Sequence, residues 1–266
     1  MDIISHTFTG IAVGTLSATV SNSSWKNKGL IILIGALGGA LPDIDAISLW
    51  SKFDSTIGSF LGLSHSGREI YFGKFWYSHH AFMHSLITPI LIILLISITK
   101  TIIRREFKIN KILKRIKKNR FLNLAFFLGF LCHLLEDMPT PSSVWSGVNL
   151  FFPSSNYIGG FGNIWWWNNY DLVLIIIGVI LLNLTINLIP AHYHKIKVRS
   201  CISVFVFGIT LFLIQINTRT TDFSYNGHTN NYYNYELQSK NIQRDILGEN
   251  LFEIMTNIDN KIPLNF

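Results

Sequence analysis

The chain has 266 residues, 49% of them hydrophobic and only 14% charged, a balance that excludes an ordinary soluble enzyme and indicates an integral membrane protein. Net charge is +7, which would suit nucleic acid, but nine Lys/Arg against one Glu fall in the single block 104–120 between two apolar runs. That block reads most simply as a cytoplasmic loop under the positive-inside rule, with phospholipid or RNA binding as the alternative.

In chain order, apolar runs long enough to span or nearly span the hydrocarbon layer of about 30 Å fall at 3–20, 29–47, 85–103, 121–138, 171–190 and 200–217. The expectation is an all-α membrane protein, a bundle of roughly six transmembrane helices over 1–217. The first run starts Met-Asp and is rich in small residues (Gly10, Ala12, Gly14, Ser17, Ala18), so it suits a helix packed inside a bundle better than a secretory signal. Gly35, Gly38 and Gly39 give the second run the same character. Lys26 and Lys28, the basic block, and Lys195, Lys197 and Arg199 mark three connections as cytoplasmic, which places both termini on the extracytoplasmic side of an inner membrane. The connection 138–170 has no Lys or Arg and is rich in Trp and Phe, as expected of an interfacial belt, or of a wall for an acyl or aromatic substrate. The tail 218–266 is polar and Asn/Tyr-rich, and 231–237 and 251–255 look β-like, so it is expected as a small extracytoplasmic appendage. Cys132 and Cys201 lie in apolar runs without metal-type spacing and indicate no redox chemistry.

The chemistry resides in His and acidic residues at the outer ends of four runs. His6 lies in the first, Asp43 and Asp45 end the second, His79, His80 and His84 begin the third, and His133, Glu136 and Asp137 end the fourth. Ionisable groups inside a membrane are costly and tend to be kept where they bind something. Their convergence at one depth therefore points to a divalent-metal centre facing the extracytoplasmic side. His133 and Asp137 are four apart, one helical turn, and make a good ligand pair. Pro42 disfavours helix at Leu41, so Asp43 and Asp45 are expected in an extended or turning segment, pointing the same way. His80 and His84 have helical spacing, while His79 and His84 converge only if a helix starts between them; spacing leaves both open. Glu136 points about 100° away from Asp137, so a supporting or interfacial role suits it. His65, His192, His194 and His228 are expected to be solvated.

Ser5-His6 with Gly10, the Leu41-Pro42-Asp43-Ile44-Asp45 segment, His79 to His84-Ser85, and His133-xxx-Asp137 followed by Gly147-Val148-x-Leu150 and Pro153 resemble the YdjM-like (LexA-regulated) membrane-bound metal-dependent hydrolases. The resemblance covers about residues 1–155. Ala46, His80 with Met83, and extra residues around Ser142–Trp145 depart from the pattern, and the Arg absent at His80 is the natural clamp for a phosphate. The resemblance implies His79 and His84 as ligands alongside His6, Asp43, Asp45, His133 and Asp137.

Seven candidate ligands exceed the four of a tetrahedral zinc, so one or two ions are expected, Zn²⁺ foremost and Mn²⁺ or Fe²⁺ next. The expected activity is hydrolysis by a metal-activated water, with His80 or Glu136 as proton shuttle. Membrane lipids would be the partners, and the substrate a lipid or lipid-linked ester, phosphoester or amide. The alternatives are a divalent-metal transporter and a structural membrane protein stapled by its metal.

Overall fold

The computed structural model describes residues 1–106 and 108–261; Phe107, in the basic block, and 262–266, at the end of the tail, lie outside it. Its named elements are helical: α1 (Ile3–Val20), α2 (Trp25–Ala40), a 3₁₀ segment Pro42–Leu49, a π-helical turn Asp54–Gly58 running into α3 (Ser59–Leu61), α4 (Gly67–Phe72), a 3₁₀ turn Phe82–His84, α5 (Ile87–Ile103), α6 (Ile109–Lys118), α7 (Arg120–Asp137), α8 (Tyr170–Asn187), a 3₁₀ turn Ala191–Tyr193, α9 (His194–Asn217), α10 (Tyr232–Leu247) and α11 (Glu249–Asp259).

The Asp2 carboxylate starts α1 by accepting from the Ile4 and Ser5 amides at 3.1 and 3.0 Å, and so places His6 one turn inside the helix. This helix is the centre of the bundle, packed against α2, α7, α8 and α9. Its small residues do what the sequence suggested. A Cβ added at Gly10 would lie 2.3 Å from the Gly35 carbonyl oxygen, and one at Gly39 would lie 2.2 Å from the His6 carbonyl oxygen. α1, α2 and α7 therefore meet backbone to backbone, a packing open only to residues without side chains.

On the other flank of α1, Ala12 packs with Ile176, Val179 and Ile180 of α8. Further from the site the contact turns polar. Asn183 donates to Thr15 at 3.3 Å, while Lys28 and Lys197 donate to the side chain and carbonyl of Asn187 at 2.8 and 2.9 Å. Polar groups that look out of place in an apolar run are thus satisfied between helices.

The six-span bundle is met in part, and the β-like tail is not met. Helices occupy all six apolar runs, but only Ile3–Val20, Tyr170–Asn187 and Ala191–Asn217 are long and apolar enough to cross a membrane by length and composition. Trp25–Ala40 with Pro42–Leu49 would make a fourth span, bent by 49°. Ile87–Ile103 is shorter, and Arg120–Asp137 carries three charged residues.

The correction is the tail, where α10 and α11 replace the β-like stretches and no strand is present among the described residues. Its tyrosines favour strands only where a pleated surface exists to receive them. Here the helix is fixed by side-chain contacts: Gln243 accepts from the Asp171 amide at 3.0 Å, and Tyr170 donates to Asp259 at 2.8 Å. Beside them the buried Asp171 carboxylate receives Arg219 at 2.8 and 3.0 Å and Gln215 at 2.8 Å.

Candidate metal centre

All seven predicted ligands come together at one end of the bundle. α1 supplies His6 and α7 supplies His133 and Asp137, with the His6 and His133 rings stacked at a centroid distance of 3.7 Å. Asp43 and Asp45 come from the 3₁₀ segment instead of an extended one. Pro42 sits at its first position, where a missing N–H costs nothing, and Leu41 keeps helical angles because its amide still bonds to Leu37. With three residues per turn the two carboxylates diverge, and they bracket His84. Asp43 Oδ1 is 3.6 Å from His84 Nε2, and Asp45 Oδ2 is 3.6 Å from His84 Nδ1.

The segment from Ser78 forms turns followed by a 3₁₀ turn over Phe82–His84, with His80 at φ +62°, so His80 and His84 do not pair along a helix, whereas a helical turn does start between His79 and His84 and their rings meet at 4.6 Å. All three of its histidines face inward. Three overlapping sets have ligand atoms within 4.8 Å of one another: His79, His80 and His84; His6, His133 and Asp137; and Asp43, His84 and His133.

The ring nitrogens show what the cluster is built to hold. In four of the five histidines Nδ1 is occupied at the rim: His6 donates to Glu136 at 2.8 Å, His79 to Asp45 at 2.7 Å, His80 to the Gly147 carbonyl at 3.0 Å, and His133 to the Gly39 carbonyl at 2.7 Å. A carbonyl can only accept, so it fixes the proton on Nδ1 and leaves Nε2 with its lone pair, the tautomer a metal ligand needs. His133 Nε2 lies 3.2 Å from His84 Nε2 and 3.1 Å from Asp137 Oδ2.

Four buried atoms, His6 Nε2, His84 Nδ1, Asp45 Oδ2 and Asp137 Oδ2, have no hydrogen-bond partner of acceptable geometry. Buried carboxylates demand a cation. Among the described residues no Lys or Arg side chain pairs with these acids, and the one ammonium present is the Met1 amino group, 2.8 Å from Asp137 Oδ1. Unpaired donor atoms, lone pairs aimed inward and excess negative charge fit a divalent ion, so these His/Asp groups could hold one.

The electrostatics of the connecting segment are uneven. Burial, reinforced by the neighbouring His79 and His84, holds His80 well below the usual histidine range. Burial pushes His84 the same way, but its contacts with Asp43 and Asp45 outweigh this and raise it to about 9.

Several contributors carry no signal in the sequence. The Gly39 and Gly147 carbonyls that set two tautomers are backbone groups. Thr9 donates to Glu136 Oε1 at 2.5 Å, so Glu136 is held between Thr9 and His6 and supports the cluster from its rim. Tyr71, carried on α4 behind the Ser66/Glu69 capping box, stacks on His79 at 4.4 Å. Trp145 lies 4.7 Å from His80 and 5.0 Å from His79 and donates to the Tyr71 carbonyl at 2.8 Å. The Trp run is not a lipid-facing belt: Trp165 is fully buried among Phe223, Tyr225, Tyr232 and Tyr235, and Trp166 donates to the Tyr225 hydroxyl at 3.2 Å. His65, His192, His194 and His228 stay outside the cluster; His65 stacks on Phe75 instead.

Comparisons with curated proteins and with solved structures find no match. A family model described as YdjM inner membrane protein matches residues 1–220, a span that holds every residue of the cluster. The chain belongs to the YdjM inner membrane protein family.

Proposed function

We propose that the protein is a membrane-embedded, metal-dependent hydrolase, and that its substrate is a lipid or lipid-linked ester or phosphoester reached at the outer membrane–water boundary. The observation that carries this reading is the convergence of five histidines and three aspartates from four segments, with Nε2 lone pairs aimed inward and acidic oxygens left unpaired. His6, His133 and Asp137 would hold one ion, and His84 with His79 or with Asp43 a second; Zn²⁺ suits the mixed donors, as do Mn²⁺ and Fe²⁺. A bound ion of this kind lowers the pKa of its water toward about 7 and polarises a substrate carbonyl or phosphoryl oxygen.

The remaining work falls to the chain. Asp45 orients His79, and Glu136, held by Thr9, orients His6. His80 stays neutral in its buried turn and presents Nε2 4.0 Å from Asp137 Oδ2, positioned to accept a proton from a nucleophile. Trp145 and Tyr71 wall the histidines against bulk water. In this reading α5 and α7 complete a six-helix membrane bundle, with the basic connections cytoplasmic and the site and both termini on the other side.

A second reading, a metal that staples helix ends without turnover, draws on the complete burial of His6, His84 and His133. The test is reconstitution with Zn²⁺ or Mn²⁺ into vesicles of membrane lipid extract, with mass-spectrometric detection of hydrolysed lipid. Product that disappears in His133→Ala supports hydrolysis, and equal turnover by the variant overturns it. Metal-dependent thermal stability without product in either protein supports the staple.

A further inference from the structure

At the far end of α5 and α7, roughly 25 Å from the metal centre along the 17 residues of α5, the chain carries a structure that the hydrolase reading leaves unused. α6 is a ten-residue helix, INKILKRIKK, folded back against the end of α5. Ile109, Ile112, Leu113 and Ile116 recur at helical spacing and form one face, and Lys111, Lys114, Lys117 and Lys118 form the opposite one. Only half of the apolar face meets protein. Ile112 and Ile116 are half-buried, while Ile109 and Leu113 are 68% and 58% exposed.

Between α5 and α6 lies an open groove of about 240 Å³ lined by Ile98, Thr101, Ile102, Ile109 and Ile112, with Lys108 also on its wall. The local charge is nearly all of one sign. Glu106, the one acid in the block, is engaged by Arg115 at 2.5 Å and Lys111 at 3.8 Å. Among the described residues Lys108, Lys114 and Lys117 have no acidic partner.

We propose that α5 and α6 form a binding site for an acidic glycerophospholipid, with an acyl chain along the isoleucine groove and the headgroup phosphate at Lys108 on its wall, drawn there by the field of the α6 lysines. An apolar groove beside unpaired ammonium groups matches both halves of such a lipid. A polyanion such as RNA would be served by the lysines but would leave Ile109, Leu113 and the groove facing water, so the lipid is the better match. The inference does not depend on the hydrolase reading, because it concerns the opposite end of the helices and is read by binding alone.

The test uses the full chain, purified and delipidated in neutral detergent, then titrated with phosphatidylglycerol or phosphatidylcholine in mixed micelles and read by native mass spectrometry. Preferential retention of phosphatidylglycerol is expected. The Lys108→Gln/Lys114→Gln/Lys117→Gln variant should lose it by about tenfold or more, and Ile102→Trp, which fills the groove, should weaken it with the charges intact. Thermal stability and metal loading serve as folding controls and should not move. Equal retention of the two lipids by the wild type, undiminished retention by both variants, or displacement of the lipid by an equimolar single-stranded RNA would overturn the proposal.

Discussion

Gly39→Ala tests whether the backbone contact of α1 with α2 and the metal centre are one structure. The new Cβ would lie 2.2 Å from the His6 carbonyl oxygen, and ordinary contact begins at 3.4 Å, so the helices must part by about 1.2 Å at this point. The atom it meets is backbone and cannot rotate away. His6 moves with that carbonyl, and the Gly39 carbonyl is the group that fixes the His133 tautomer at 2.7 Å. Overpacking of this kind costs about 1–3 kcal/mol. A displaced metal-ligand support typically lowers affinity on the order of 10- to 100-fold. The control is Gly178→Ala on α8, where an added Cβ meets nothing within 4 Å; it should be neutral or slightly stabilising, since Ala is the better helix former by up to ~1 kcal/mol. Metal content after dialysis against graded chelator, together with thermal unfolding in detergent, reads both effects. A Gly39→Ala protein that keeps wild-type metal affinity and melting temperature would refute the coupling.

Three further outcomes are expected. Glu136→Gln keeps a side chain of the same shape beside His6 and Thr9 but removes the charge, and competitive chelator titration should show a loss in metal affinity of roughly 10- to 100-fold. Arg219→Met leaves the Asp171 carboxylate, 4% exposed, without its cation; the cost of about 3–5 kcal/mol should appear as a lower melting temperature and faster proteolysis in 218–261. Metal loading should also release a proton. His84 is raised to about 9 and is therefore protonated at neutral pH without metal, so binding there displaces its proton below that value and none above it. Calorimetry in buffers of different ionisation enthalpy measures this; no released proton at neutral pH would place the ion away from His84.

The candidate ligands were legible because chemistry that needs charge inside an apolar run leaves a conspicuous residue. His6, His133 and Asp137 could be found by burial cost alone, and Asp43 and Asp45 by the proline before them. What could not be read is the part executed by the backbone. Neither the Gly39 nor the Gly147 carbonyl has a sequence signature, and the left-handed turn at His80 depends on contacts with residues some seventy positions away. The divergence of Asp43 and Asp45 around His84 follows from a 3₁₀ rather than an extended path, a choice made by the continuing Leu41 amide bond. Six apolar helices were correctly located, but α5 and α7 are a residue short and too charged, respectively, to be counted as spans on length and composition. The helical tail was missed because its tyrosines pack on Trp165, a partner that no local window contains.

A neighbouring contact carries the tail to the edge of the centre. The family match stops at residue 220, whereas Tyr225, five residues later, holds the Trp166 indole, and Trp166 stands one ring from His80 at 6.1 Å. The residues that could hold an ion all lie within the matched span, but the aromatic wall beside His80 is braced by a segment outside it. A change in the segment after α9 would therefore reshape the surroundings of His80 while leaving every candidate ligand in place.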